Sequence, residues 1–181
     1  MLILKMAKMT KQYFSELADY NCWANDIACG WLEAITDDQW NQPIVSSFNN
    51  LRETLLHIAA SENVWAERMN GLTVAPWLPD TFSGSKEDHI ALIKMTSRKL
   101  KVFVLSLDEN RLEEKFFFKR LNGEENMMAF YQMLAHVFNH STYHRGQLVI
   151  MLRQVGFTKL SSTDLSVYYR EIGISWQKQM V

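Results

Sequence analysis

At 181 residues, 48% of them hydrophobic and 22% charged, the chain can bury one full core and is too short for two comfortable domains. Its formal net charge of -1 removes the electrostatic case for nucleic acid or an anionic membrane surface as partner. No apolar stretch approaches the roughly 20 residues that span a bilayer, and Met1 to Lys8 lacks the organisation of a signal peptide. The expectation is a cytoplasmic protein with a disordered leader over residues 1–9.

From Thr10 to Ile35, residues Phe14, Leu17, Asn21, Ala24, Ala28, Trp31 and Ile35 recur at steps of three and four, which predicts a long amphipathic helix. Cys22 and Cys29 lie seven residues apart on it, about 10 Å of helix rise, beyond disulfide reach; they read as buried thiols. Thr36-Asp-Asp-Gln39 resembles a capping box and predicts a short helical turn through Trp40. A second long helix is expected from Asn50, with Glu53 three residues on, to about Asn70; its apolar stripe is Leu51, Leu55, Ile58 and Trp65. Gly71 to Gly84, with Pro76 and Pro79, is a connection long enough to cross a bundle end.

Ser85 can cap a third helix whose core face carries Leu92, Thr96, Leu100, Phe103 and Leu107. The apolar run Phe116 to Phe118, followed by Asn122-Gly123, predicts a small hairpin. A fourth long helix is expected from about Met127 to Val155, stopped by Gly156, and a last short one after Thr163-Asp164. Four long amphipathic helices with one long crossover define an all-α fold, a four-helix bundle with a small hairpin and a short C-terminal helix. The domain is placed at residues 10–173, with a tail over 174–181.

The chemistry concentrates in the fourth helix. His136, His140 and His144 recur every four residues, one helical turn and about 40° of rotation, so neighbours stack on one face. Two such imidazoles can reach one metal ion, and His57 on the second helix is the leading candidate for a third ligand. All three helix-four histidines cannot share an ion, because eight residues rise about 12 Å. Spacing leaves open whether the pair is His136 with His140 or His140 with His144. A lone His57 would ordinarily be a hydrogen-bonded core histidine, but three in register each have two ring nitrogens to satisfy. His89, in the first turn of the third helix, is expected to be exposed and is a reserve candidate.

The segment Asn139-His-Ser-Thr-Tyr-His-Arg-Gly-Gln147 resembles the signature of the DinB family of metal-dependent bundle proteins. Tyr20-Asn-Cys-Trp-Ala-Asn25, Ser47-Phe48, Leu55-Leu-His57-Ile58 with Trp65, and Thr163-Asp164 with Tyr168 and Arg170 resemble further parts of it. The likeness spans roughly Thr10 to Gly173. It implies metal ligands at His57, His140 and His144, leaving His136 as a supporting neighbour. Arg145 is expected to pair with Asp164, Gly146 to permit close helix packing, Gln147 to orient a ligand or bound water, and Tyr143 to pack.

Three neutral imidazoles leave a divalent ion its full charge and an open position, which lowers the pKa of a water or thiol bound there. Imidazole ligands suit Zn²⁺, Ni²⁺ and Fe²⁺ alike. Two reaction classes follow: hydrolysis of an ester, amide or similar electrophile, or attack of a small thiol on an electrophilic carbon. No His-Glu-x-x-His arrangement, phosphate loop or dinucleotide fingerprint is present. The resemblance favours a thiol S-transferase, or a related thiol-dependent enzyme such as an isomerase, working on a small-molecule substrate with a low-molecular-weight thiol. The alternatives are a metal-dependent hydrolase and a non-catalytic bundle with a structural or sensory metal. A helix face carrying Trp23 or Trp31 offers a surface for a homodimer.

Overall fold

The computed structural model describes residues 10–120 and 122–179; the expected leader over 1–9 and the last two residues lie outside that range. The first helix, α1 (Lys11–Glu33), begins where Thr10 accepts a hydrogen bond from the Tyr13 amide. A short helix, α2 (Asp37–Asn41), starts on the reciprocal bonds of Thr36 and Gln39, the capping box expected there. The Asn50 side chain caps α3 (Leu51–Met69), accepting from the Glu53 amide at 2.8 Å. Ser85 and Asp88 form a second capping box on α4 (Lys86–Ser106).

The hairpin pairs β1 (Lys115–Lys119) with β2 (Glu125–Ala129) antiparallel, Phe117 opposite Met127. Met127, expected to open the fourth long helix, therefore belongs to a strand, and that helix, α5, runs Phe130–Gln154. The cause is the turn: Gly123 takes φ +86°, and Arg120 bonds Glu124 through the backbone, which carries the chain back along β1 before any helix can start. Gly156, at φ +84°, closes α5. Its amide bonds the Arg153 carbonyl while that of Phe157 bonds Leu152, a Schellman termination. The last helix, α6 (Leu165–Gln179), continues through most of the segment read as a tail.

The long helices form a four-helix bundle. Helix α1 packs on α4 and α5, and α3 packs on the same two. Consecutive long helices α1 and α3 therefore lie diagonally across the bundle, as do α4 and α5. The connections at residues 34–50 and 107–129 make those crossings. The apolar core has two large clusters, beside a small third one of Tyr20, Ala24 and Tyr168. One large cluster joins Leu32, Leu55, Ile58, Ile93 and Leu148, and the other joins Phe14, Leu100, Phe103, Phe130 and Leu134. Among the described residues no helix is long and apolar enough to cross a membrane.

Between the two large clusters lies a polar layer that ties all four helices together. Glu62, fully buried on α3, accepts bonds from Asn21 (2.7 Å) and Asn25 (3.1 Å) of α1, Ser97 of α4 (2.7 Å) and Ser141 of α5 (2.9 Å). Arg145, 1% exposed, donates to the side-chain oxygens of Asn21 (2.7 Å) and Asn25 (3.0 Å), so two asparagines bridge the buried anion and cation. This corrects the expected Arg145–Asp164 pair. Arg145 points inward toward α1, over the Tyr20 ring, while Asp164 accepts from the Ser166 amide at the start of α6. Two further expectations change. Gly146 faces open space, with nothing within 4 Å of a Cβ built there. Trp31 is buried with its indole N–H on Ser161, and Trp23 donates to Glu171 and packs on Tyr168, so this face is covered by the chain's own C-terminal segment.

Candidate metal centre

The periodicity of α5 puts His140 and His144 on the face turned to α3, and Ser141 and Arg145 one residue on toward the interior. His57 comes from the first half of α3, where Leu55 and Ile58 lock the helix into the core. The three histidines named from the sequence meet. The Nε2 atoms of His57 and His140 are 3.1 Å apart, as are those of His144 and His140. One ligand atom from each residue lies within 4.8 Å of the others, a group able to hold a metal ion. Three nitrogens at about 2.0–2.1 Å from a tetrahedral ion would stand roughly 3.3 Å apart, close to the 3.1 Å that His140 keeps to each of the other two.

Hydrogen bonding alone does not account for this cluster. The Gln147 side-chain oxygen lies 2.8 Å from His144 Nδ1, so Nδ1 carries the proton and Nε2 presents a lone pair. His140 Nε2 can then donate to one neighbour or accept from His57, but cannot satisfy both contacts. Its Nδ1 is buried and has no partner. A cation at the convergence point removes the shortfall at Nε2. The rings are also held neutral. Burial first, and the neighbouring histidines second, push the pKa of His57 down to about 4 and that of His140 to about 3. Burial lowers that of His144 as well, partly opposed by its bond to Gln147.

Aromatic rings wall the site. Phe48, on the loop before α3, lies 4.4 Å from the His57 ring centre and 5.7 Å from that of His144, and Trp77 meets His57 edge-on at 5.8 Å. Gln147 is fixed in turn by donating to Ser47 (2.8 Å) and Tyr143 (3.2 Å). The expected orienting role of Gln147 thus has its geometry. Tyr143 is 61% exposed, packs its ring edge-on against His144 at 4.9 Å, and turns its hydroxyl to Gln147. His136 stays outside the group, its ring 5.6 Å from Trp65 and 5.8 Å from His140. His89, expected to be exposed, is buried between Trp40 and Phe82 with Nδ1 on the Ser85 carbonyl, and is not brought to the site. Neither cysteine can act as a ready nucleophile, since burial pushes Cys22 up to about 11 and Cys29 to about 12.

Phe48 and Trp77 lie on loops without periodicity, so spacing gave neither a place at the site; Phe48 was marked only through the family resemblance of Ser47-Phe48. Glu62 did carry one. It stands four residues after Ile58 and three before Trp65, a carboxylate on the core stripe of α3, which requires buried partners.

A four-helix bundle with diagonal successive helices and three histidines converging from two of them defines a class of metal-site bundle proteins. The model of the DinB family matches residues 6–173, and the chain belongs to that family. It is 27% identical over 160 residues to Protein DinB of Bacillus subtilis (strain 168), covering 84% of this chain and 91% of that protein. Two solved structures share the fold. A DinB-like protein from Bacillus cereus ATCC 10987 has a TM-score of 0.67 and 18% identity, over 86% of this chain and 99% of that one. YfiT from Bacillus subtilis, described as a probable metal-dependent hydrolase with an unusual four-helix bundle topology, has a TM-score of 0.65 and 15% identity, over 84% and 93%.

Proposed function

We propose that the protein is a metal-dependent enzyme in which His57, His140 and His144 hold one divalent ion, Zn²⁺, Ni²⁺ or Fe²⁺, and that it transfers a low-molecular-weight thiol to an electrophilic carbon. The observation that carries this reading is the convergence of three neutral Nε2 atoms, with Gln147 fixing the tautomer of one. When bound, a divalent ion with three neutral ligands supplies a strong local positive charge that favours the deprotonated form of a thiol or water at its open position. The group able to hold the ion contains no carboxylate, so no acidic side chain there stands ready as the general base that water attack would use. A thiol needs less help, because its own pKa of about 8.5 lies far closer to neutrality than that of water.

The chain's residues set the geometry. Gln147, held by Ser47 and Tyr143, fixes the His144 ring, and the Phe48 and Trp77 rings limit water access on the α3 side. Transfer forms a sulfur–carbon bond, the leaving group departs with its electron pair, and the thiol proton passes to solvent. Hydrolysis of an ester or amide is the second reading, favoured by the description of YfiT.

One experiment separates the two. Metal-loaded protein is offered a chlorobimane electrophile with a panel of small thiols, and in parallel a panel of nitrophenyl esters. Thiol-dependent chloride displacement that is lost on chelation and restored by metal supports S-transfer. Metal-dependent ester cleavage without thiol would favour hydrolysis, and neither activity in a metal-loaded protein would argue for a structural or sensory ion.

A further inference from the structure

A cavity of about 470 Å³ opens between α3, α5 and the hairpin, one helical turn from the histidine cluster. Its apolar wall includes Trp65, Phe118 and Met133, and His136 forms the side nearest His140. Among the described residues two cations line it, Arg68 and Arg120, and no carboxylate does. Arg120 is exposed and already paired with Glu124 at 2.9 Å. Arg68 is different. It is 6% exposed, its guanidinium lies 4.5 Å from the Trp65 ring centre and 5.2 Å from that of Phe118, and Nη2 donates to the Lys119 carbonyl at 2.5 Å.

Among the described residues no carboxylate comes within ion-pairing distance of Arg68, and its Nε has no hydrogen-bond partner. The other buried arginine, Arg145, reaches an anion through Asn21 and Asn25; Arg68 has no such relay. A buried cation without a counter-charge is costly to maintain, and a planar guanidinium held against two touching aromatic rings beside an apolar cavity is suited to a carboxylate on an apolar body.

We propose that this cavity binds the carboxylate end of an amphipathic small molecule, with Arg68 as the anion's partner and Trp65, Phe118 and Met133 around its apolar body. The site thereby selects the acid-bearing electrophile whose reactive end is carried past His136 to the three histidines. That second step rests on the metal-enzyme reading above; the anion site itself does not.

The test uses 4-phenylbutyrate and its neutral amide as probes of the full-length, metal-free protein, followed by the Trp65 indole and Met133 methyl resonances. The acid is expected to bind at least tenfold tighter than the amide, with shifts at both residues, and Arg68→Gln should remove that preference. Equal binding of the two probes, or shifts that bypass the cavity, would overturn the anion site even if Arg68→Gln fails to fold. With Co²⁺ loaded, the phenyl resonances of the bound acid should broaden strongly. Binding without broadening in a Co²⁺-loaded protein would refute the substrate role and leave the anion site standing. A protein that takes up no metal would remove the enzyme reading, and the substrate role with it, independently of the acid–amide comparison.

Discussion

Two polar clusters share helix α5, set back to back, and they are built to opposite rules. On one face His140 and His144 meet His57 in a group whose nitrogens cannot all be satisfied by one another. On the inner face Ser141 and Arg145 join a layer in which Glu62 accepts four hydrogen bonds and two asparagines bridge anion to cation. The first leaves bonding capacity for something the chain does not itself provide. The second is nearly complete and sealed. A buried polar layer between two apolar clusters fixes which helices face each other, and so holds α3 and α5 at the spacing that lets three imidazoles converge.

Breaking the sealed layer should have the largest effect. Glu62→Ala leaves Arg145 buried with its anion gone, and should destabilise the fold by roughly 3–5 kcal/mol in urea denaturation of the metal-free protein. A loss below about 1 kcal/mol would mean that the layer is not coupled as described. The open cluster should respond in metal affinity instead. Gln147→Leu removes the bond that sets the His144 tautomer and should weaken metal binding about 10–100-fold by calorimetric titration, with the helical content unchanged.

Acid should also tell the two clusters apart. Burial depresses the pKa values of His57 and His140 to about 4 and about 3, from the ordinary histidine value of about 6.5. Their contribution to stability is therefore fully present above about pH 6.5. As the pH falls below that value the unfolded chain takes up protons that the folded protein refuses, so stability declines toward the folded pKa values. The urea midpoint of the metal-free protein should drop between pH 7.5 and pH 5, and His140→Leu should flatten the slope. An unchanged slope in that variant would place the acid sensitivity elsewhere. The smallest effect is expected at Gly146, where nothing obstructs a side chain. Gly146→Ala should raise stability by up to about 1 kcal/mol, read as a higher melting temperature.

The fold was largely legible because helix starts and stops are local chemistry. Thr36 with Gln39, Asn50 with Glu53, Ser85 and Gly156 all perform the roles their sequence context predicts. The α5 start was not, because Met127 fits a helical period as well as a strand and only the pairing with Phe117 decides. His57, His140 and His144 were legible by combining spacing with family resemblance; spacing alone left His136 in competition. The partners of Arg145 were not. A buried arginine declares that it needs an anion, but the asparagine relay to Glu62 depends on three helices meeting at one depth, which no local pattern records. Trp77 was hidden for the same reason, since loops carry no period, and Phe48 was marked by resemblance without its place beside His57.

The most direct test of the three-histidine centre is the metal content of the protein purified without a histidine tag, alongside His57→Ala, His144→Ala and His136→Ala. The account predicts near-stoichiometric divalent metal in the parent and in His136→Ala, and its loss from both ligand variants while they remain helical. Full occupancy in His57→Ala and His144→Ala, or no metal in the parent and no uptake of Zn²⁺ or Ni²⁺ on addition, would contradict it.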